Sequence, residues 1–304
     1  MKNVIRTCLS ALCAGALLLS CTKQDPVTPK PKPDPGSLAD FYPASVYKWG
    51  LKDLARACDL LIGAEFTYGE YGQDDSLKVV LKRDFDATVF GNEMKHDCDV
   101  YGWDVVNEVL TDAGTWRTQN DVQDGYHVFL WGQYYPGGTK EFVDQAFRNA
   151  REALEREGKT ADLYINDYNL EWSQAKVEAL CKYAEGNPDV TGVGSQMHIS
   201  SDVNRDNVRS MLERMVRTGK KVRISELDVS LGNTNQGETI VYIFDQYLKI
   251  VPKEQRGGIT FWGVSDKNSW LGADKQPLLY SKAYLRKDSY LKLHAYLLER
   301  SGLQ

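Results

Sequence analysis

Two carboxylates in this sequence each end a short apolar run that has the composition of a buried β-strand. Glu108 ends residues 103–108, WDVVNE, and Glu226 lies near the end of residues 222–228, VRISELD. Carboxylates on separate strand ends suit the hydrolysis of a glycosidic bond, in which one acid protonates the leaving oxygen and the other attacks the sugar. The plainer alternative is that each carboxylate only solvates the end of its strand. We treat Glu108 and Glu226 as the candidate catalytic pair.

Three further polar residues align with this pair if the segments are strands. Strand side chains alternate between two faces, so Asp228 points the same way as Glu226, and Gln196 the same way as His198 in GSQMH, residues 194–198. A lone histidine is more often structural than catalytic, but this one accompanies two carboxylates at strand ends. No cluster has metal-ligand spacing and no Gly-rich phosphate loop occurs, so we predict neither a metal nor a cofactor.

The elements that position these residues alternate between strand and helix. Amphipathic stripes predict helices at 142–154, with Thr139 as the cap, at 177–184, at 208–216 and at 239–251. Short, continuously apolar runs suit strands that are buried on both faces, as in a parallel sheet. This alternation predicts an α/β fold, and a closed parallel barrel is its commonest form. The seven strand candidates are residues 60–66, 85–90, 103–106, 163–165, 193–197, 222–227 and 259–264.

The chemical motifs together resemble glycoside hydrolase family 10, the endo-β-1,4-xylanases. WDVVNE resembles the family's acid/base strand, which implies Glu108 as acid/base with Asn107 on the sugar 2-hydroxyl. ISELDVS resembles the nucleophile strand, which implies Glu226 as the nucleophile. The resemblance also implies that His198 bonds the nucleophile and is itself held by Asp228. The family fold is a TIM (β/α)8-type barrel, and its mechanism is retaining, through a covalent glycosyl-enzyme.

Supporting motifs follow in the family's order and imply a set of substrate-binding residues. NEMK, residues 92–95, resembles the stretch after the second strand, and YINDYN, residues 164–169, resembles the fifth strand. FWGVSD and SWL, residues 261–266 and 269–271, resemble the last strand and its tryptophan loop. Indole faces stack on the C–H faces of sugars, so two tryptophans are candidate subsite walls. The substrate-binding candidates are Asn92, Lys95, Tyr168, Gln196, Trp262 and Trp270.

The sequence departs from the family between its second and fourth strands. Only residues 96–102 separate Lys95 from Trp103, whereas parallel neighbours need a crossover of about a dozen residues or more. The third strand–helix unit, which carries part of the glycone site in the family, therefore has no counterpart here. We expect an incomplete barrel of seven strands.

The first residues have the pattern of an export and anchoring signal. Lys2 and Arg6 precede an apolar run that is too short to span a bilayer, and the run ends in LLSC at Cys21. This pattern predicts a lipoprotein signal peptide at 1–20 with Cys21 as the lipidated residue; the alternative is an ordinary signal peptide and a chance cysteine. A Pro-rich tether at 21–37 leads to a catalytic barrel at 38–304. The expected location is the outer membrane, facing the periplasm or the cell surface.

Composition limits the partners. The formal net charge is −5, so we expect no nucleic acid, and membrane contact through the lipid anchor only. The predicted activity is that of a retaining endo-β-1,4-xylanase acting on xylan or xylo-oligosaccharides. Two alternatives stay open: a catalytically impaired barrel that still binds xylan, and a retaining barrel glycosidase that acts on another β-glycan.

Overall fold

The computed structural model describes residues 48–90, 100–123, 126–127 and 129–303. The predicted signal peptide, the tether and Cys21 lie outside these residues, as do Asn92 and Lys95. The helices are α1 (Leu51–Ala57), α2 (Tyr68–Gln73), α3 (Asp75–Asp84), α4 (Gly138–Arg156), α5 (Gln174–Gly186), α6 (Arg205–Val216), α7 (Gln236–Ile250) and α8 (Asp288–Ser301). The strands are β1 (Ile62–Phe66), β2 (Ala87–Phe90), β3 (Gly102–Asn107), β4 (Val122–Gln123), β5 (Tyr126–His127), β6 (Asp162–Asp167), β7 (Gly192–Ser195), β8 (His198–Ser200), β9 (Lys221–Ser230) and β10 (Arg256–Phe261).

One parallel sheet forms the centre of the fold. Its strands follow the order β2-β1-β10-β9-β7-β6-β3, and β8 extends the line of β7 along β9. This is the circular order of a barrel whose strands are joined by helices. All seven predicted apolar runs form strands of this sheet, so the predicted incomplete (β/α)8-type barrel is confirmed.

In the described part of the chain, β2 and β3 are the two ends of the sheet. Among the described residues, each of these two strands pairs with a single parallel neighbour, β1 and β6 respectively. Exposure follows from this: Trp103 in β3 is 38% exposed, whereas Leu163 and Ile165 in the neighbouring β6 are fully buried. A strand inside a closed barrel is covered on both faces, so the exposed residues of β3 mark an edge.

Helices cover the outside of the closed part of the sheet. The predicted stripe on α4 is fully buried at Phe147 and half-buried along the rest of its length, and Val143, which lies outside the predicted stripe, is buried as well. The predicted stripe on α6 is buried along most of its length. The prediction that Thr139 caps α4 is wrong. The helix begins one residue earlier, at Gly138, and the Thr139 hydroxyl donates to the carbonyl of Arg117 instead. A loop contact that is distant in sequence has taken the side chain that local pattern assigns to capping.

The described residues also show the state of two cysteines and the character of the helices. Cys58 and Cys181 are free thiols. No helix of the described part is long and apolar enough to cross a membrane.

Candidate active site

The catalytic candidates lie at the carboxyl ends of the parallel strands, the usual place for functional groups in this architecture. Glu108 follows the last residue of β3, and its backbone N–H donates to the carbonyl oxygen of Asn166 in β6 at 3.1 Å. Its φ of 57° lies in the left-handed region, which a non-glycine residue adopts only where its surroundings hold it. The turn thus ends the strand and fixes the position of the backbone from which the Glu108 side chain extends.

Gln196 contacts both candidate catalytic residues, Glu108 through its side chain and Glu226 through its backbone. Its side-chain Nε2 donates to Glu108 Oε1 at 2.9 Å and to Asn107 Oδ1 at 3.1 Å. Its backbone carbonyl accepts from the N–H of Glu226 at 3.1 Å. The charge of Glu108 also acts on the pKa of Glu226. The sequence placed these two glutamates on separate strand ends, and the fold brings both to one residue.

His198 stands behind Glu226, as the resemblance implies. Its Nε2 lies 3.2 Å from Glu226 Oε2 and its Nδ1 lies 2.9 Å from Asp228 Oδ2. Asp228 is fully buried and also accepts from the indole N–H of Trp270 at 2.7 Å. The ring is therefore held from both sides, and its direction towards Glu226 is fixed.

Electrostatics give His198 a positive charge at neutral pH. Burial alone lowers the pKa of its imidazole, but hydrogen bonds to Asp228 and Glu226 and the charges of both carboxylates outweigh burial and raise the pKa to about 9. The cation then acts on Glu226. Burial, together with the charges of Asp104 and Glu108, raises the pKa of Glu226, while the bond to His198 opposes this rise. His198 thus favours the ionised form that a nucleophile requires.

Two tryptophans flank this histidine. Trp262 is half-buried and Trp270 is 60% exposed. Their ring centroids lie 6.3 Å and 5.0 Å from that of His198, both in edge-on geometry. Both tryptophans therefore lie beside the histidine that contacts Glu226, with the exposed indole of Trp270 available to a ligand.

Tyr168 lies on the acid/base side of the site and is fixed by two cations. The guanidinium of Arg117 donates to its hydroxyl, and the Lys176 ammonium lies 3.7 Å from its ring centroid. Lys176 is fully buried and pairs with Asp167 at 2.7 Å and with Asp112 at 3.2 Å. Burial raises the pKa of Asp167 to about 6 even though the charge of Lys176 opposes it. This network holds the loop after β6 in place.

A cavity of about 280 Å³ opens beside the acid/base candidate. Besides Asn107 and Glu108, it is lined by Arg117, Phe129 and Trp131. Trp131 is 60% exposed, and its indole stacks on Phe142 with centroids 5.6 Å apart and an angle of 9° between the rings. An exposed ring that is held flat in this way can receive the apolar face of a sugar.

Sequence reasoning missed Arg117, Lys176 and Trp131. The closely spaced aromatic residues around Trp131, in FLWGQYY at 129–135, were the available signal for that ring. Arg117 and Lys176 lie in a loop and on a helix, and no local pattern distinguishes them from surface cations. Among the described residues, no group of three or more His, Cys, Asp and Glu side chains is arranged to hold a metal ion.

Comparison with known proteins gives the same placement. Residues 96–296 match the family model described as glycosyl hydrolase family 10. The chain is 34% identical over 226 residues to endo-1,4-beta-xylanase A of Cellvibrio japonicus, covering 63% of this chain and 36% of that protein. The chain therefore spans about a third of that relative's length.

Solved structures show the same fold. A thermostable mutant of a xylanase from Cellvibrio japonicus is 33% identical, with a TM-score of 0.55 and 65% of each chain covered. Xylanase 10B of Thermotoga petrophila, solved in complex with xylobiose, is 22% identical, with a TM-score of 0.65 over 83% of this chain and 98% of that one. The strand order, the two carboxylates that meet at Gln196 and the family match agree, and this chain belongs to glycosyl hydrolase family 10.

Proposed function

We propose that this protein is a retaining endo-β-1,4-xylanase that hydrolyses xylan or xylo-oligosaccharides by double displacement. The observation that carries the proposal is the joint placement of Glu108 and Glu226 around Gln196, with the charged His198 behind Glu226. Relatives named as xylanases, and the xylobiose complex of one structural neighbour, support the choice of substrate. The match covers only part of the curated relative, so the activity rests on the site itself.

In the first step, the Glu226 carboxylate attacks the anomeric carbon and the carboxylic acid of Glu108 gives its proton to the leaving oxygen. The glycosidic C–O bond breaks, and a glycosyl ester to Glu226 forms. His198, held by Asp228, stabilises Glu226 as an anion before the attack. Gln196 holds the Glu108 carboxyl through one oxygen and leaves its other oxygen available for proton transfer.

In the second step, the carboxylate of Glu108 takes a proton from water, and the water oxygen attacks the anomeric carbon. The ester to Glu226 breaks and the sugar leaves with its original configuration. Asn107 lies beside Glu108 and bonds Gln196, so we assign it the sugar 2-hydroxyl, as the family resemblance implies. We assign sugar binding to Tyr168, Trp262 and Trp270 on the same basis, and to Asn92 and Lys95, which lie outside the described residues.

The open side of the sheet supports a second candidate, a catalytically impaired barrel that binds xylan. Because β2 and β3 do not pair with each other in the described part of the chain, we propose that the third strand–helix unit of the family is absent here. That loss removes one wall of the sugar site but leaves the Glu108 and Glu226 pair in place. Release of reducing sugar from xylan distinguishes an active enzyme from a binding protein.

The decisive test uses the purified chain and a panel of xylan, β-glucan and mannan. We expect reducing ends from xylan with products of retained configuration, and a fluorinated xyloside with a good leaving group should form an ester on Glu226. Glu226→Ala is the matched control, which should fold normally and take no label. Hydrolysis of mannan or glucan in preference to xylan would assign a different substrate, and xylan binding without hydrolysis would assign the impaired form.

We also propose that the protein is an outer-membrane lipoprotein anchored through Cys21, on the periplasmic or the external face. The apolar run followed by LLSC supports the anchor. Cys21→Ser should move the protein from the membrane fraction to the soluble fraction. Unchanged fractionation would contradict lipidation at this residue.

A further inference from the structure

A second cleft lies on the outside of the barrel, between α4 and α5. It encloses about 630 Å³, within the range of about 300–1,000 Å³ that is usual for ligand pockets. Its floor includes Trp116 and Tyr183, whose rings meet edge to face with centroids 5.1 Å apart. None of the catalytic candidates lines it, so it is a different cavity from the one beside Glu108.

The loop that follows Glu108 borders both cavities. Trp116 lines the outer cleft, and the next residue, Arg117, lines the cavity that contains Glu108. Consecutive Cα atoms are about 3.8 Å apart, so one loop contributes to both cavities. A ligand in the outer cleft would therefore touch the same loop as a substrate in the active site.

The acidic groups of the cleft are already engaged. Asp144 pairs with Lys140 at 2.8 Å and accepts from the Tyr183 hydroxyl at 2.9 Å. Asp189 lies 3.8 Å from the guanidinium of Arg151. These contacts neutralise both carboxylates and order the polar side of the floor.

Two cations of the same cleft have no such partner. Arg148 on α4 and Lys182 on α5 both line the cleft and are exposed. Neither makes a hydrogen bond or a close ion pair within residues 48–90, 100–123, 126–127 and 129–303, although the charge of Lys182 helps to lower the pKa of Glu178 on the same helix. Together with Lys140, these residues give the lining three cations, against the two carboxylates of Asp144 and Asp189. The formal net charge of the whole protein, in contrast, is −5. The cleft is thus a locally positive site on an acidic protein.

We infer that this cleft is a second carbohydrate site, which binds a sugar that carries a carboxylate, such as a uronic acid. Arg148 and Lys182 receive the carboxylate, and the aromatic floor with the Tyr183–Asp144 pair receives the ring. The choice of a sugar rests on the proposed function, whereas the choice of an anion rests on the two exposed cations of the lining, Arg148 and Lys182. In an enzyme that acts on xylan, such a site would favour chains that carry acidic side groups.

The test compares methyl β-glucuronoside with methyl β-glucoside, which differ only in the carboxylate. Both are titrated into the wild-type protein, with resonances of the tryptophan indoles followed by NMR. We expect the glucuronoside to bind and the Trp116 resonance to shift. Because exposed ion pairs contribute about 1 kcal/mol or less, the double variant Arg148→Ala/Lys182→Ala should bind it about fivefold more weakly. The double variant Lys159→Ala/Arg209→Ala removes two exposed cations elsewhere and should bind it like the wild type.

Four results would overturn the inference: equal binding of the two glycosides, no effect of the cleft variant, the same loss in the control variant, or equal competition by inorganic sulfate. The last would indicate a general anion site and not a sugar site. Hydrolysis of an aryl xyloside is measured on the same samples, and the cleft variant should match the wild type. If the wild-type protein fails to hydrolyse it, the proposed function is contradicted while the glycoside titration still decides this inference.

Discussion

The positive charge on His198 predicts how the stability of this protein depends on pH. The perturbation is His198→Gln, which keeps a side-chain N–H near Glu226 and removes the charge. In the folded protein the pKa of His198 is raised from 6.5 to about 9, and its side chain is only 18% exposed. At about 1.4 kcal/mol per tenfold change in proton affinity, this corresponds to about 3 kcal/mol of stability in the folded state.

The sign follows from the raised pKa. Folding favours the protonated ring, so its contribution is fully present below pH 6.5 and is lost as the pH rises through 9. The free energy of unfolding, measured with urea at intervals between pH 6 and pH 10, should fall by up to about 3 kcal/mol more in the wild type than in His198→Gln over this range. His294→Gln is the matched control. Burial lowers the pKa of His294, so that ring adds a small rise in stability between pH 6 and about pH 8, opposite in sign to the His198 contribution, and no slope above that.

The same variant has a catalytic readout. His198 opposes the rise in the pKa of Glu226, so its loss should move the acidic limb of the kcat/KM profile to higher pH. The assignment of a charged His198 would be refuted if the free energy of unfolding depended on pH in the same way in the wild type and in His198→Gln, and if the acidic limb of kcat/KM stayed at the same pH.

Two further predictions address the binding surface and the open sheet. Trp131→Ala should raise KM for long xylo-oligosaccharides about fivefold, since an aromatic stack contributes about 1 kcal/mol, and should leave the hydrolysis of an aryl xyloside unchanged. The control is Tyr101→Ala, which removes an exposed ring just before β3, at the end of the strand away from Glu108. Equal effects of the two variants on KM would contradict a subsite at Trp131. Inserting a family third strand–helix unit between Lys95 and Trp103 should raise the melting temperature by several degrees because it pairs two exposed strand edges, and an unchanged melting temperature would show that the sheet is closed in another way.

The incomplete parallel barrel and the meeting of the polar strand ends could be predicted from the sequence. Short apolar runs such as 163–165 and 222–227 identify strands because a strand covered on both faces needs apolar residues at every position. Glu108, Gln196, His198 and Glu226 were found because parallel strands bring their carboxyl ends to one edge, wherever they lie in the chain.

The contacts that hold this core were not predictable in the same way. Lys176 is fully buried between two carboxylates, yet in sequence it is an ordinary lysine in the first turn of a helix. Trp131 stacks on Phe142, and Arg117 bonds Tyr168 across a loop. Such contacts depend on the distance between elements that are far apart in sequence, and periodicity carries no information on that distance.

The central claim is that Glu108 and Glu226 have different roles, and the configuration of azide products tests it most directly. An aryl xyloside needs no protonation in the first step, so Glu108→Ala should form the glycosyl-enzyme and then stall, because no base activates water. Azide needs no base and should restore turnover by attacking that intermediate, giving the β-xylosyl azide. Glu226→Ala cannot form the intermediate, so azide can attack only from the opposite face and should give the α-azide. Opposite anomers from the two variants are the predicted result, whereas the same anomer from both, or no rescue in either, would contradict the assignment.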